Sequence, residues 1–99
     1  MDGRRRDGAA AEQLGRNLFM ARRRAGYSQE ELAARCSLHY AEIGFVERGQ
    51  RLPRADTLVK LASALGIGAG GLLAGIEWVV PAPGRPGSFV VSSRPPREG

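Results

Sequence analysis

Six positions within one short stretch constrain this chain more than any other feature. Counting from Gln29, the fourth, eighth, tenth, fifteenth and eighteenth residues are Leu32, Cys36, Leu38, Ile43 and Val46, all apolar. The fifth is Ala33. Two short helices joined by a tight turn impose this pattern, because the first needs a small residue where the second crosses it. Both must also turn apolar residues inward at helical spacing. An arbitrary amphipathic hairpin rarely meets all six conditions, so the spacing predicts a helix-turn-helix with its break at Ser37.

The flanking elements follow from periodicity and helix-end signals. Over about residues 10–25, Leu14, Leu18, Ala21 and Ala25 recur at helical spacing, and Gly26 is placed to end that helix. Ser28, Gln29, Glu30 and Glu31 form a capping box for the second helix. The third helix is expected over about residues 39–48, with Ile43 and Val46 inside and Gly49 as its cap. Pro53 then opposes helix formation in the loop 49–54. A fourth helix over about residues 55–65 buries Leu58, Leu61, Ala62 and Leu65, carries Asp56 in its first turn and stops at Gly66. Ile67 is expected to plug the core. Residues 69–75 make a fifth helix, weakened by Gly70 and Gly71 at roughly 1 kcal/mol each relative to Ala.

The two ends differ in character. Residues 1–9 lack periodicity and read as a disordered arm, and residues 92–99 as a disordered stub. Strand-like runs at Trp78, Val79 and Val80 and at Ser88, Phe89, Val90 and Val91 flank PAPGRPG, the pattern of a short β-hairpin over residues 78–91. Such a hairpin is marginal alone and needs a surface to pack on. The expectation is an all-α, five-helix domain over residues 10–76 with a C-terminal tail over 77–99.

Composition narrows the function classes. One cysteine, Cys36, leaves no internal disulfide, no CxxC pair and no cysteine-built zinc site, and one histidine, His39, adds no second ligand. No metal or other cofactor is expected. No apolar run approaches about 18 residues, and the charged N-terminus lacks a signal peptide's apolar segment, so the default location is the cytoplasm. No P-loop, no GxGxxG after a strand and no spaced Ser/His/Asp set argues for an enzyme. The net charge of +5 suits polyanions in general. Its location is more informative: residues 16–54 hold eight Arg and four Glu, an excess of +4, across the helix-turn-helix and the loop after it.

The segments AGYSQEELAARC and EIGFVERGQRLPRADTLVKLASALGI resemble the phage-repressor/Cro-like (XRE) helix-turn-helix regulators, and the resemblance covers about residues 12–76. It implies a lambda-repressor-like five-helix domain of the kind that usually binds double-stranded operator DNA as a homodimer. The expected function is transcriptional regulation, as a repressor that blocks polymerase by occupancy, with activation through contact with polymerase as the alternative. It also implies an internal salt bridge between Arg22 and Glu47. Ser37 departs from the pattern, since the family generally has Gly in that turn.

The recognition helix of such a unit faces base edges in the major groove. Its outward face is expected to hold His39, Tyr40, Ala41, Glu42, Gly44 and Phe45. The family pattern favours Tyr40, Ala41 and Phe45 as base contacts. Ala41 and Phe45 suit thymine methyls, and Glu42 can accept from cytosine N4. Phe45 equally suits a semi-buried or partner-contact aromatic. Phosphate contacts fall to Gln29 at a helix N-terminus, His39 near the next cap, and Arg48, Gln50, Arg51 and Arg54 in the following loop. Arg16, Arg23, Arg24 and Arg35 are assigned to solvated surface. The dimer surface is expected from Leu72, Leu73 and Ile76 with Trp78 and Phe89. The alternative is a protein-interaction module on the same fold: an antitoxin, which would bind its toxin through the tail, or an antirepressor, which would use the recognition surface for protein.

Overall fold

The computed structural model describes residues 4–92, with side chains from Gly8 onward. In chain order these are α1 (Arg4–Ala25), α2 (Gln29–Cys36), α3 (Tyr40–Glu47), α4 (Ala55–Leu65), α5 (Ala69–Leu72), β1 (Ile76–Val79) and β2 (Ser88–Val91). Residues 1–3 of the expected arm and 93–99 of the expected stub lie outside the described residues. α1 begins six residues earlier than the apolar periodicity suggested, so residues 4–9 are helical. Arg4, Arg5, Arg6 and Ala9 are strong helix formers, and they prolong a helix already anchored downstream, across Asp7 and Gly8 and without any apolar spacing.

The helix-turn-helix forms as the spacing required. Leu32, Ala33, Cys36, Ile43 and Val46 are buried and Leu38 is partly buried, in one core with Leu14, Leu18, Leu61, Ala62 and Leu72. Leu58 and Leu65 pack at its edge. The Ser28 capping box is present in both directions. Four helix ends close in the same way. The amides of Tyr27, Leu38, Gln50 and Ile67 each donate back to the carbonyl five residues earlier, at Arg22, Ala33, Phe45 and Ala62. The residue before each amide has positive φ: Gly26, Ser37, Gly49 and Gly66. This is the left-handed helix terminus that Gly supplies at little cost. At Ser37, φ is 54°.

Two core assignments change. Ile67 is 36% exposed and does not plug the core, whereas Leu72 is fully buried and does. The left-handed turn at Gly66 directs Ile67 outward, and its side chain lies against Gly71. α5 is a single turn, shorter than the span 69–75. It is held from outside: the Asn17 side-chain amide donates to the Leu72 and Ala74 carbonyls, both at 2.9 Å. Gly15 lets α1 cross α3 closely, since a Cβ there would stand 2.5 Å from the Val46 carbonyl oxygen and 2.6 Å from that of Glu47.

β1 and β2 pair antiparallel, with Ile76 opposite Val91 and Trp78 opposite Phe89. The hairpin thus starts two residues earlier than the expected 78, and Val80 falls in the loop between its strands. Trp78 and Phe89 meet edge to face with centroids 5.0 Å apart. The Ser92 amide closes the base of the hairpin on the Gly75 carbonyl at 2.7 Å. Both strands pack on α1, which provides the support a two-stranded sheet requires.

Candidate nucleic-acid interface

The turn at Ser37 decides which side of α3 faces outward. With Ile43 and Val46 fixed in the core, the N-terminus and opposite face of α3 are left on the surface. Tyr40 is 56% exposed, whereas Ala41, Glu42 and Phe45 are half-buried. Gly44 is buried, contrary to its placement on the outer face: the Arg48 guanidinium lies back across it, 2.9 Å from where a Cβ would stand. An i, i+4 neighbour on a helix covers such a small residue readily.

His39 is the N-cap of α3, and its Nδ1 accepts from the Ala41 amide at 3.2 Å. That bond puts the neutral ring's proton on Nε2, leaving a donor available to solvent. The same ring stacks on Tyr40 with centroids 4.7 Å apart. His39 and Tyr40 therefore hold each other at the exposed start of the helix.

Arg22 and Glu47 form the internal bridge that the resemblance implied. Arg22 Nε lies 2.6 Å from Glu47 Oε2, Nη2 lies 3.1 Å from Oε1, and Nη1 donates to the Tyr27 carbonyl at 2.8 Å. Both side chains are buried. Gln29 joins them, donating from Nε2 to Glu47 Oε1 at 2.9 Å. One buried carboxylate thus gathers donors from α1 and α2 onto α3. A second amide hydrogen of Gln29 remains for an outside acceptor.

The basic groups after α3 are organised around Phe45. The guanidinium carbon of Arg51 lies 4.8 Å from its ring centroid and that of Arg48 lies 5.5 Å away, both within cation–π range. Arg48 Nε donates to Gln50 Oε1 at 3.4 Å. Arg51 Nη1 lies 2.6 Å from Glu42 Oε1, a partly exposed ion pair. Arg54, the N-cap of α4, lies 3.6 Å from Asp56 with both side chains largely in solvent. Arg16, Arg23, Arg24 and Arg35 are all exposed.

Of the residues assigned from sequence, Tyr40, Ala41, Glu42, Phe45, His39, Arg48, Gln50 and Arg51 therefore belong to α3 and the turn that follows it. Gln29 turns its amide inward, and Arg54 stands at the start of the next helix. The Glu42–Arg51 pair had no sequence signal, since its members stand nine positions apart and only the turn at Gly49 brings them together. Among the described residues there is no cluster of His, Cys, Asp and Glu arranged for a metal ion. No helix among them is long and apolar enough to cross a membrane.

The sequence model of the helix-turn-helix family matches residues 18–72. A 54-residue stretch is 41% identical to an uncharacterized HTH-type transcriptional regulator, y4dJ, of Sinorhizobium fredii, covering 54% of this chain and 70% of that protein. The fold is similar to the restriction-modification controller protein C.AhdI from Aeromonas hydrophila, with a TM-score of 0.61 and 39% identity over 63% of this chain and 94% of that one. It is also similar to the master regulator for biofilm formation SinR, solved in complex with DNA, with a TM-score of 0.59 and 26% identity over 61% of this chain and 97% of that one. With the six-position spacing, the left-handed turn and the five-helix frame in agreement, the chain belongs to the phage-repressor/Cro-like helix-turn-helix family of transcriptional regulators.

Proposed function

We propose that this protein binds double-stranded DNA sequence-specifically as a homodimer, with α3 in the major groove, and represses transcription by occupying its site. The observation that carries this reading is the surface of α3. Tyr40, Ala41, Glu42 and Phe45 lie beside Arg48 and Arg51, while the opposite face is locked in the core. Base edges meet the first group, and phosphates meet Gln29, His39, Arg48, Gln50, Arg51 and Arg54. None of the α3 side chains forms the bidentate Arg–guanine or Gln–adenine pair, so DNA shape contributes to specificity.

One such unit touches few bases, and two half-sites about one helical turn apart multiply its affinity. Leu72 is buried and takes no part in a dimer surface. Leu73 and Trp78 are exposed, and Ile76 and Phe89 are half-buried beside them in sequence or across the hairpin. In this reading residues 10–76 are the DNA-binding part, residues 77–99 serve association, and the protein works in the cytoplasm on the nucleoid.

The exposed apolar residues of the tail, Trp78, Val79, Val80, Val90 and Val91, also favour a second reading in which it holds a protein partner, as in an antitoxin. Repeated selection from a random duplex pool tests the main reading. A palindrome-like enriched site supports it; no enrichment over background overturns it in favour of a protein-binding module.

A further inference from the structure

We infer that the Glu42–Arg51 ion pair couples base reading to phosphate gripping: Glu42 withholds Arg51 from DNA until a base amino group takes its place on the carboxylate. This rests on the DNA-binding reading and assigns Glu42 a role beyond accepting from a cytosine.

The basic groups beside α3 are not equally free. Arg48 is bonded to a neutral amide oxygen at 3.4 Å and gives that bond up readily to a phosphate. Arg54 stands 3.6 Å from Asp56 with its side chain 87% exposed, a weak and screened pair. Arg51 is held differently. Its Nη1 is 2.6 Å from Glu42 Oε1, the carboxylate side chain is only 23% exposed, and its guanidinium also rests on Phe45. Arg51 therefore has an anionic partner already; its side chain is 52% exposed and its other guanidinium N–H groups are open, but a phosphate meets a cation whose charge the Glu42 carboxylate already offsets.

Glu42 sits in the first turn of α3, where a docked duplex presents its groove. An uncompensated carboxylate there is repelled by the phosphates on both sides. Two states avoid that penalty. In one, Arg51 stays on Glu42, and the protein meets DNA with one fewer phosphate contact. In the other, an exocyclic amino group of cytosine or adenine donates to Glu42 in the major groove, and Arg51 moves to a phosphate. Only a sequence that supplies the amino group reaches the second state. The pair thus lowers affinity for random DNA and raises the ratio of specific to non-specific binding.

The test is the salt dependence of binding for the wild type and for Glu42→Gln, measured on a random-sequence duplex and on the duplex enriched by the wild type. Glutamine keeps the shape and removes the charge. On random DNA the variant should bind tighter by roughly tenfold at 0.1 M salt, with a slope steeper by about 0.9, the signature of one added phosphate contact. Its preference for the enriched duplex should fall. Arg51→Ala should leave the random-DNA slope unchanged and reduce the slope on the enriched duplex. Equal slopes for Glu42→Gln and the wild type on random DNA, with thermal melts showing both folded, would overturn the coupling and leave DNA binding intact. A Glu42→Gln that binds both duplexes more weakly would also overturn it. A wild type that binds no duplex at all overturns the DNA-binding reading itself.

Discussion

Ser37 carries the left-handed conformation that Gly carries at the three other helix ends of the same kind, and a Cβ in that conformation costs about 1–2 kcal/mol. Ser37→Gly should therefore raise stability in chemical denaturation by about 1 kcal/mol, with no change in DNA binding. A loss of stability would mean that the serine side chain contributes to the turn. Arg22 predicts the opposite sign. It is 7% exposed and makes three hydrogen bonds, two of them to Glu47. Arg22→Met strands a buried carboxylate with only Gln29 for a partner and should cost about 3–5 kcal/mol. Arg22→Met with Glu47→Leu should cost less than the single change. The six spaced residues and the capping box were legible because each is local, set by helix period or by one turn. Gly15 and Asn17 were not: the first is explained only by the α3 carbonyls it faces, and the second only by the carbonyls after α5.

α2 is tied at both ends, and its first turn is sensitive to acid. The Ser28 amide donates to Glu31 Oε1, and the Ser28 hydroxyl oxygen accepts from the Glu31 amide on the other side of the box; hydrogen bonding from Ser28, its backbone amide above all, holds the Glu31 carboxyl below the ordinary glutamate range. Because the folded pKa is depressed, this contribution is present above the unfolded value. It is lost as pH falls through the ordinary glutamate range to the folded one. Denaturation of Glu31→Gln followed across that window should lose less stability than the wild type; parallel curves would mean the cap does not titrate with folding. At the other end of the chain the hairpin's two strand runs were legible, yet the surface that supports them was not. Both strands rest on α1, a contact between elements far apart in the chain that no local periodicity signals. Ile67 misled for a related reason, since apolarity marks a residue for the core only when the preceding turn points it inward.

Across the whole molecule, charge supplies affinity and the frame supplies direction. The +4 excess over residues 16–54 includes Arg22, which is internal, and Arg51, which is paired with Glu42, so fewer guanidiniums are free than the count implies. Arg51→Ala with Arg54→Ala should reduce the salt slope on the enriched duplex by about 2, one for each phosphate contact removed. A slope that does not change would place the phosphate grip elsewhere. If the tail mediates self-association, Trp78→Ala should lower the mass seen by light scattering without moving the melting curve by more than its local packing on Phe89 explains. Selection of bound duplexes from one random pool, with the wild type and with Tyr40→Ala plus Phe45→Ala, asks whether the outer face of α3 reads DNA sequence. Both proteins should fold and bind DNA but enrich different sequences; identical enriched sites from the two would mean that Tyr40 and Phe45 read no bases.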